Sequence, residues 1–158
     1  MNLPKKTYTV KDALKKMGHY CAYQDRCHKE VRDKLKEMNM IPEAIDHIVA
    51  YLIEHDFLNE QRFAESFVRG KFRIKKWGRI RIASELKRRD ISPYILKKAL
   101  EQLTVQEYLE TLDQLARKRL ETLGSLSKLE KKRKLSSYLL YRGWENHLVN
   151  EKLRELLG

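Results

Sequence analysis

The sequence predicts an all-α protein made of three tandem three-helix repeats stacked into an elongated, curved array. Glycine and proline are scarce, with 6 and 3 residues among 158. Apolar residues recur at spacings of three and four, which is the period of one helix face. One apolar pattern also occurs three times along the chain, and such repetition is typical of stacked helical units. About nine short helices are therefore expected.

The first repeat is assigned to residues 1–57. Thr9 followed by Asp12 is a variant of the capping box, so a helix is expected to begin there. Pro42 suits the first turn of a later helix, whose apolar stripe runs from Ile41 to Ile53. The repeated pattern is two apolar residues four apart, a break, and two more four apart. Its first copy is Val31, Leu35, Ile41 and Ile45.

The second repeat, residues 58–103, is the most basic. Helices are expected to begin near Asn59 and at Ser92, which precedes Pro93. The second copy of the pattern is Ile82, Leu86, Ile91 and Ile95. The stretch KFRIKKWGRIRI alternates like a strand, so a basic β-hairpin around Trp77 and Gly78 competes with helices here. Both flanking segments are helix-like, and we therefore favour helices.

The third repeat covers residues 104–158. Thr104 with Glu107 and Ser127 with Glu130 have capping-box spacing and predict two helix starts. The third copy of the pattern is Leu135, Leu139, Trp144 and Leu148. The copies lie 51 and 53 residues apart, counted from Leu35 to Leu86 and from Leu86 to Leu139, which leaves room for one more helix in each. A single irregular bundle with a chance repeat is the alternative.

The break in each copy contains a residue that tolerates a left-handed backbone. These residues are Asn39, Asp90 and Gly143, and a left-handed residue commonly ends a helix. Each copy is therefore expected to contain a helix, a tight stop and another helix. Because units this small bury their apolar faces poorly alone, neighbouring units are expected to stack.

The charge of the chain points to anionic partners. The formal net charge is +12 and the isoelectric point is about 9.7, which favours phosphate backbones, acidic proteins or anionic membranes. No stretch approaches the roughly 18 uninterrupted apolar residues of a membrane span, and MNLPKKTYTVKDAL lacks the apolar core of a secretory signal. We expect a cytoplasmic protein, and we rank a membrane-surface role last because the apolar positions suit packing between repeats.

The basic residues are concentrated rather than spread. Residues 69–98 hold twelve Lys and Arg against only Glu85 and Asp90, whereas residues 43–66 hold six acids against a single Arg62. This polarity predicts a binding surface for phosphates or for an acidic protein groove. Several of these cations could instead only end helices favourably. The predicted binding residues are Arg69, Lys71, Arg73, Lys75, Lys76, Arg79, Arg81, Lys87, Arg88, Arg89, Lys131, Lys132, Arg133 and Lys134.

Other candidate chemistry is weak. Phe72 and Trp77 could stack on bases, but we assign both to the core. The segment HYCAYQDRCH, with Cys21 and Cys27, lacks the spacing of a structural zinc site, so no metal is expected. The chain has no Gly-rich phosphate loop, no His-Glu-x-x-His and no Gly-x-Ser-x-Gly. We predict a binding protein without catalytic residues or cofactors.

The segment FLNEQRFAESFVRGKFRIKKWGRIRIASELKRRDI resembles the central region of the RecX family of bacterial recombinase regulators. Matching positions of the family pattern are Phe57, Leu58, Arg62, Phe63, Ala64, Gly78, Arg81, Ile82, Glu85, Leu86 and Ile91. An acidic pair of the pattern is replaced by Asn59 and Glu60, and the glycine of its Lys-Gly-Ile turn by Asp90. The resemblance extends over nearly the whole chain, since that family also has three tandem three-helix repeats.

The resemblance implies a regulator of the RecA recombinase. Such a protein would lodge in the groove of a RecA filament on single-stranded DNA and hinder filament extension, ATP hydrolysis and strand exchange. We expect a monomer that can also contact free DNA and does not bind membranes. The alternative is a general nucleic-acid-binding helical protein without a recombinase partner. Charge reversal at Arg73, Lys76, Arg79 and Arg81 is expected to weaken binding without unfolding the chain.

Overall fold

The computed structural model describes residues 7–158, so the first six residues of the first predicted repeat lie outside it. Nine α-helices and no strand occur in this part of the chain, which confirms the all-α prediction. The helices are α1 (Val10–Tyr23), α2 (His28–Glu37), α3 (Pro42–Glu54), α4 (Glu60–Arg73), α5 (Arg79–Arg88), α6 (Pro93–Leu100), α7 (Val105–Leu123), α8 (Lys128–Tyr141) and α9 (Asn146–Leu157). None of them, within residues 7–158, combines the length and apolar character needed to cross a membrane.

The predicted helix starts are confirmed by their cap hydrogen bonds. The hydroxyl oxygens of Thr9, Ser92, Thr104 and Ser127 each accept from the backbone N–H three residues later. Asn59 caps α4 in the same way, accepting from the Arg62 N–H at 2.9 Å. These bonds satisfy donors that a helix N-terminus otherwise leaves unpaired. The competing β-hairpin is wrong, because α4 and α5 flank a short link instead.

The three predicted helix stops share one hydrogen-bonding pattern. Asn39, Asp90 and Gly143 have φ of 59°, 57° and 92°. In each copy the next residue donates its N–H to the carbonyl five positions back: Met40 to Leu35, Ile91 to Leu86 and Trp144 to Leu139, at 3.1–3.2 Å. This is the arrangement that satisfies the last carbonyls of a helix. The break is therefore a structural equivalent in all three copies.

These bonds also correct the alignment of the first copy. Met40, rather than Ile41, is the equivalent of Ile91 and Trp144, and Ile41 is exposed. The next buried residue of each copy is then Ile45, Leu96 and Val149, each five residues beyond Met40, Ile91 and Trp144. Hydrophobicity alone aligns Ile41 with Ile91 and Trp144, whereas the backbone hydrogen bonds align Met40 with them.

The buried side chains form two clusters rather than one continuous core. The first joins α1, α2 and α3 and includes Leu58. The second extends over α4 to α9. The second group of helices (α4 to α6) and the third (α7 to α9) therefore share a single core, separate from that of the first group (α1 to α3), and Cys27 belongs to the shared core. At its centre the rings of Phe72, Tyr108 and Trp144 pack together, with the Tyr108 and Trp144 centroids 4.5 Å apart.

The contact between the two clusters is largely polar. The Arg62 guanidinium donates from Nε to Asp25 at 2.8 Å and from Nη1 to Asp56 at 3.2 Å. The backbone N–H of His28 donates to the Glu60 carboxylate at 3.1 Å. The Cys27 side chain is fully buried in the second cluster. Hydrogen bonds to charged side chains thus hold the first three helices against α4, and Cys27 is buried beside them. We call this contact the junction.

Candidate basic interface

The residues between 69 and 89 are divided between two helices and a short link. Helix α4 ends at Arg73 and α5 begins at Arg79. Within the link, Lys76 adopts a left-handed backbone with φ of 59°. The exposed predicted residues are Arg69, Arg73, Lys75, Lys76, Lys87 and Arg88, and those partly buried are Lys71, Arg79, Arg81 and Arg89.

Aromatic rings, rather than carboxylates, hold several of these cations. Lys71 Nζ lies 5.4 Å from the Phe67 ring centroid and 5.1 Å from that of Trp77. The Arg81 guanidinium lies 4.2 Å from the Trp77 ring centroid. Arg89 differs, because it lies 4.9 Å from the Phe67 ring but also pairs with Glu85 at 3.2 Å. Cation–π contacts fix a positive group in place without neutralising its charge. Lys71 and Arg81 therefore stay available to an anion.

Helix α8, which carries the second basic segment of the sequence at residues 131–134, contacts this zone. The Arg81 guanidinium also lies 4.9 Å from the Tyr141 ring. At the end of α8, Arg142 donates to the Lys75 carbonyl oxygen at 3.0 Å and lies 4.5 Å from the Tyr138 ring. The Arg119 guanidinium lies 4.8 Å from the same Tyr138 ring. The Arg81–Tyr141 contact and the Arg142–Lys75 hydrogen bond thus join the zone of residues 69–89 to the end of α8, and the Arg119–Tyr138 contact joins α8 to α7.

A cleft between α7 and α8 continues this surface. Its volume is about 630 Å³, and its lining residues are Arg119, Arg133, Lys134, Ser137, Tyr138 and Tyr141. Within residues 7–158, no carboxylate lies within ion-pair distance of Arg119, Arg133 or Lys134. We call the combined surface the basic face: Lys71, Trp77, Arg81, Arg119, Arg133, Lys134, Tyr138, Tyr141 and Arg142.

Several other predicted cations, from both basic segments, have partners within the chain. Lys132 donates from Nζ to the Gly158 carbonyl oxygen at 2.8 Å, and Lys131 is partly buried. Arg69 donates to the Gln102 side chain at 2.6 Å. Arg88 and Arg89 both pair with Glu85. Glu85 partly neutralises Arg88 and Arg89, whereas the bonds of Arg69 and Lys132 restrict the positions of these side chains without cancelling their charge.

Arg79 lies where the start of α5 meets α7 and the start of α9. Its Nη1 donates to Glu145 at 2.9 Å, its guanidinium lies 3.8 Å from the Tyr108 ring, and its backbone N–H donates to the Tyr108 hydroxyl. The Tyr108 hydroxyl in turn donates to Glu145. Burial, followed by the hydrogen bond to Glu145, raises the pKa of Tyr108. The Arg79 side chain therefore stabilises the contact between α5 and the start of α9, and its charge is less available to a ligand.

Trp77 and Phe72 have different environments. Phe72 is only 2% exposed, in agreement with its assignment to the core. Trp77 is partly buried against the second cluster and has Lys71 and Arg81 beside its ring. Tyr138, Tyr141 and Arg142 belong to the basic face but were not among the residues predicted from the sequence. Their spacing of four from Lys134 to Tyr138 to Arg142 was the available signal.

The cysteine segment has an environment typical of a packed core. Cys21 and Cys27 are both buried and free. Burial raises the pKa of Cys27 to about 12, and its Sγ donates to the Glu30 carboxylate at 3.3 Å. Among residues 7–158, no group of three or more His, Cys, Asp or Glu side chains could hold a metal ion.

The chain matches three family models, all of RecX. They are the first three-helix domain at residues 10–52, the second at 59–100 and the third at 106–153. The predicted series of three three-helix repeats is thereby confirmed. Each matched segment contains three of the nine helices.

Curated relatives carry the same family name. A regulatory protein RecX of Clostridium acetobutylicum is 32% identical over 137 residues, which is 84% of this chain and 63% of that protein. One from Enterococcus faecalis is 29% identical over 152 residues, or 96% of this chain and 57% of that protein. The chain thus spans somewhat more than half the length of these relatives.

Solved structures agree with the sequence matches. The crystal structure of RecX from Lactobacillus salivarius has a TM-score of 0.82 at 28% identity, covering 93% of this chain and 96% of that one. A second crystal structure, of a regulatory protein RecX, has a TM-score of 0.83 at 23% identity and supports the fold. Because three family models together match most of the described helices and the resemblance seen in the sequence agrees with them, this chain belongs to the RecX family.

Proposed function

We propose that this chain regulates a RecA recombinase by binding the RecA filament on single-stranded DNA through the basic face. In this proposal it hinders filament extension, ATP hydrolysis and strand exchange. The supporting observation is that ring contacts connect basic residues of the second and third groups of helices into one surface. A surface extending over two groups can contact more of a filament than an isolated basic segment.

The mechanism is steric and electrostatic. The filament presents phosphates and acidic protein surfaces, and each cation that neutralises a phosphate releases a condensed counterion. Arginine also grips carboxylates through two parallel hydrogen bonds. The occupied groove then excludes incoming protomers. This role requires no catalytic residue and no cofactor.

The same proposal includes the setting of the protein. It acts as a monomer divided into units 1–57, 58–103 and 104–158, with no membrane contact. Its place is the cytoplasm, in homologous recombination, DNA repair and the SOS response. The predicted residues outside the basic face, apart from Arg79 and including Lys75, Lys76 and Lys87, belong to the outer part of the binding surface.

The test is ATP hydrolysis by the RecA protein on single-stranded DNA, titrated with this protein. Inhibition is expected at protein concentrations far below those that cover the DNA. The double variant Arg133→Glu, Lys134→Glu removes two unpaired cations of the basic face and is expected to need at least tenfold more protein. The control Lys11→Glu, Lys15→Glu makes the same charge change on exposed residues of α1 and is expected to inhibit normally.

Two outcomes would reject the proposal. If both double variants lose inhibition equally, net charge rather than the basic face is responsible. If hydrolysis falls only when the DNA is saturated, the chain is a general nucleic-acid-binding protein without a recombinase partner. Binding to the same DNA without RecA across a salt series measures that saturation directly.

A further inference from the structure

Tyr141 is an exposed aromatic ring within the basic face. It is the last residue of α8 and is 77% exposed. Its ring lies 4.9 Å from the Arg81 guanidinium on one side of the surface and lines the α7–α8 cleft with Arg133 and Lys134 on the other. An exposed ring can stack on a planar ligand without disturbing the packing of the core.

The other rings of the basic face are already covered. Trp77 has Lys71 and Arg81 beside it, and Tyr138 has Arg119 and Arg142. Within residues 7–158, Arg81 is the only cation found over the Tyr141 ring. Tyr141 is therefore the ring of this surface with most room for a ligand.

Helix geometry aligns Tyr141 with an anion-binding side chain. Arg133, Ser137 and Tyr141 are spaced four apart on α8, so they lie along one side of the helix. At 1.5 Å per residue, Arg133 and Tyr141 are about 12 Å apart along the axis. A positive group at one end of the stripe and a ring at the other suit a ligand that alternates charge with planar groups.

We infer that Tyr141 stacks on an unpaired base of a single nucleic-acid strand, whose phosphates lie against Arg81, Arg133 and Lys134. This inference rests on the proposed function, since it names what the basic face contacts in the filament. A single strand fits better than a duplex because duplex bases are already stacked on one another. It fits better than an acidic protein because carboxylates would use the cations and leave the exposed ring unused.

The test compares two labelled strands with equal numbers of phosphates, one of mixed sequence and one made of abasic sites. Wild type is expected to bind the base-containing strand about fivefold or more tightly, the affinity gain of one stacked base. Tyr141→Ala is expected to bind both strands alike, and Tyr141→Phe to keep the preference. Fluorescence anisotropy gives both dissociation constants, and circular dichroism checks that each variant stays helical.

Tyr23→Ala is the matched control. Tyr23 is also the last residue of its helix, α1, and is 83% exposed, but it belongs to the first cluster's side of the molecule. It is expected to keep the wild-type preference. The inference is overturned if wild type binds both strands equally, if Tyr141→Ala retains the preference, or if poly-glutamate of matched charge displaces the strand as well as DNA does.

These measurements are made without RecA, so the two proposals fail separately. A base preference that depends on Tyr141, without any effect on RecA hydrolysis, supports the stacking inference and rejects the proposed function. Inhibition of RecA with equal binding of both strands does the reverse. A duplex that competes as well as the base-containing strand also overturns the inference, since it offers phosphates without free bases.

Discussion

The backbones of Gly78 and Gly143 touch where α5 begins beside the α8–α9 turn. A β-carbon on Gly78 would lie 2.4 Å from the Gly143 carbonyl oxygen, and one on Gly143 would lie 2.3 Å from the Arg81 β-carbon. The approach lets the N–H groups of Gly78 and Ile80 donate to the carbonyls of Arg142 and Gly143 at 2.8 and 3.0 Å. The third group of helices thereby caps the second.

Gly143→Ala is expected to destabilise the protein by about 2–4 kcal/mol, because the new methyl group meets Arg81 and the residue has φ of 92°. Urea unfolding followed by helical circular dichroism measures the change. The control is Gly70→Ala in α4, where a β-carbon meets no atom within 4 Å. It is expected to stabilise by about 0.5–1 kcal/mol. Equal midpoints for the two variants would mean that the glycine contact is unimportant.

Arg79 is expected to behave as a structural residue, contrary to the expectation that its charge can be reversed without unfolding. Arg79→Glu would place a second carboxylate beside Glu145, which now accepts from Arg79 Nη1 at 2.9 Å. A loss of about 2 kcal/mol or more is expected from the broken pair and the new repulsion. Thermal and urea unfolding measure this loss.

Lys76→Glu is the matched control for Arg79→Glu. Lys76 lies in the same basic segment and makes the same charge change, but its side chain is exposed. Its stability is expected to change by less than about 0.5 kcal/mol. If both variants unfold at the wild-type midpoint, the network of Arg79, Tyr108 and Glu145 does not stabilise the contact between α5, α7 and α9.

Local signals in the sequence were sufficient for the helices and their stops. Ser92, Thr104 and Ser127 act through a backbone N–H three residues away, and Asp90 through its own φ, so neighbouring residues determine them. The positive φ of Lys76 was not predictable, because lysine has no intrinsic preference for it. There the contact of Trp144 Nε1 with the Lys76 carbonyl oxygen, 68 residues away, helps hold the conformation.

The basic face was predictable only in part, for the same reason. The charge of residues 69–89 is visible in the sequence, but which cations remain unpaired depends on distant residues. Glu145 forms an ion pair with Arg79, whereas the Tyr141 ring lies beside Arg81 without neutralising its charge. A count of charges treats Arg79 and Arg81 alike. Their different environments follow from the contact of the start of α5 with the turn between α8 and α9.

Arg62 is expected to hold the first three helices against α4. It donates to Asp25 and Asp56, which lie in two different loops of the first group. Arg62→Ala is expected to cost about 1–2 kcal/mol, since hydrogen bonds between charged groups are lost at a partly exposed site. Native-state hydrogen exchange should become faster in the α1–α2 and α3–α4 loops and stay unchanged in α7.

Arg32→Ala controls for the loss of an ion pair as such. Arg32 pairs with Asp46 at 2.9 Å, but both residues belong to the first group and their side chains are largely exposed. A change of about 0–1 kcal/mol is expected, without faster exchange in the two loops. Loop exchange that responds equally to both substitutions would contradict the assignment of Arg62 to the junction.

The buried Cys27 thiol at the junction is expected to make the free energy of unfolding depend on pH above about 9. Burial raises the pKa of its thiol from 9.0 to about 12, so the folded chain keeps a proton that the unfolded chain loses. The unfolded state binds fewer protons in this range, and the free energy of unfolding therefore falls as the pH rises from about 9 to about 12. The thiol contributes at most about 1.4 kcal/mol per pH unit.

Urea unfolding of wild type and Cys27→Ala between about pH 8 and about pH 10.5 isolates this thiol, because all other titrating groups are common to both proteins. The difference in unfolding free energy is expected to be constant below pH 9 and then to shift steadily against wild type. The buried thiol should also resist a thiol reagent until the chain unfolds, since the thiolate is the reactive form. Parallel pH curves with rapid modification of Cys27 would show that the residue is solvated, and hence that the two clusters are not joined through it.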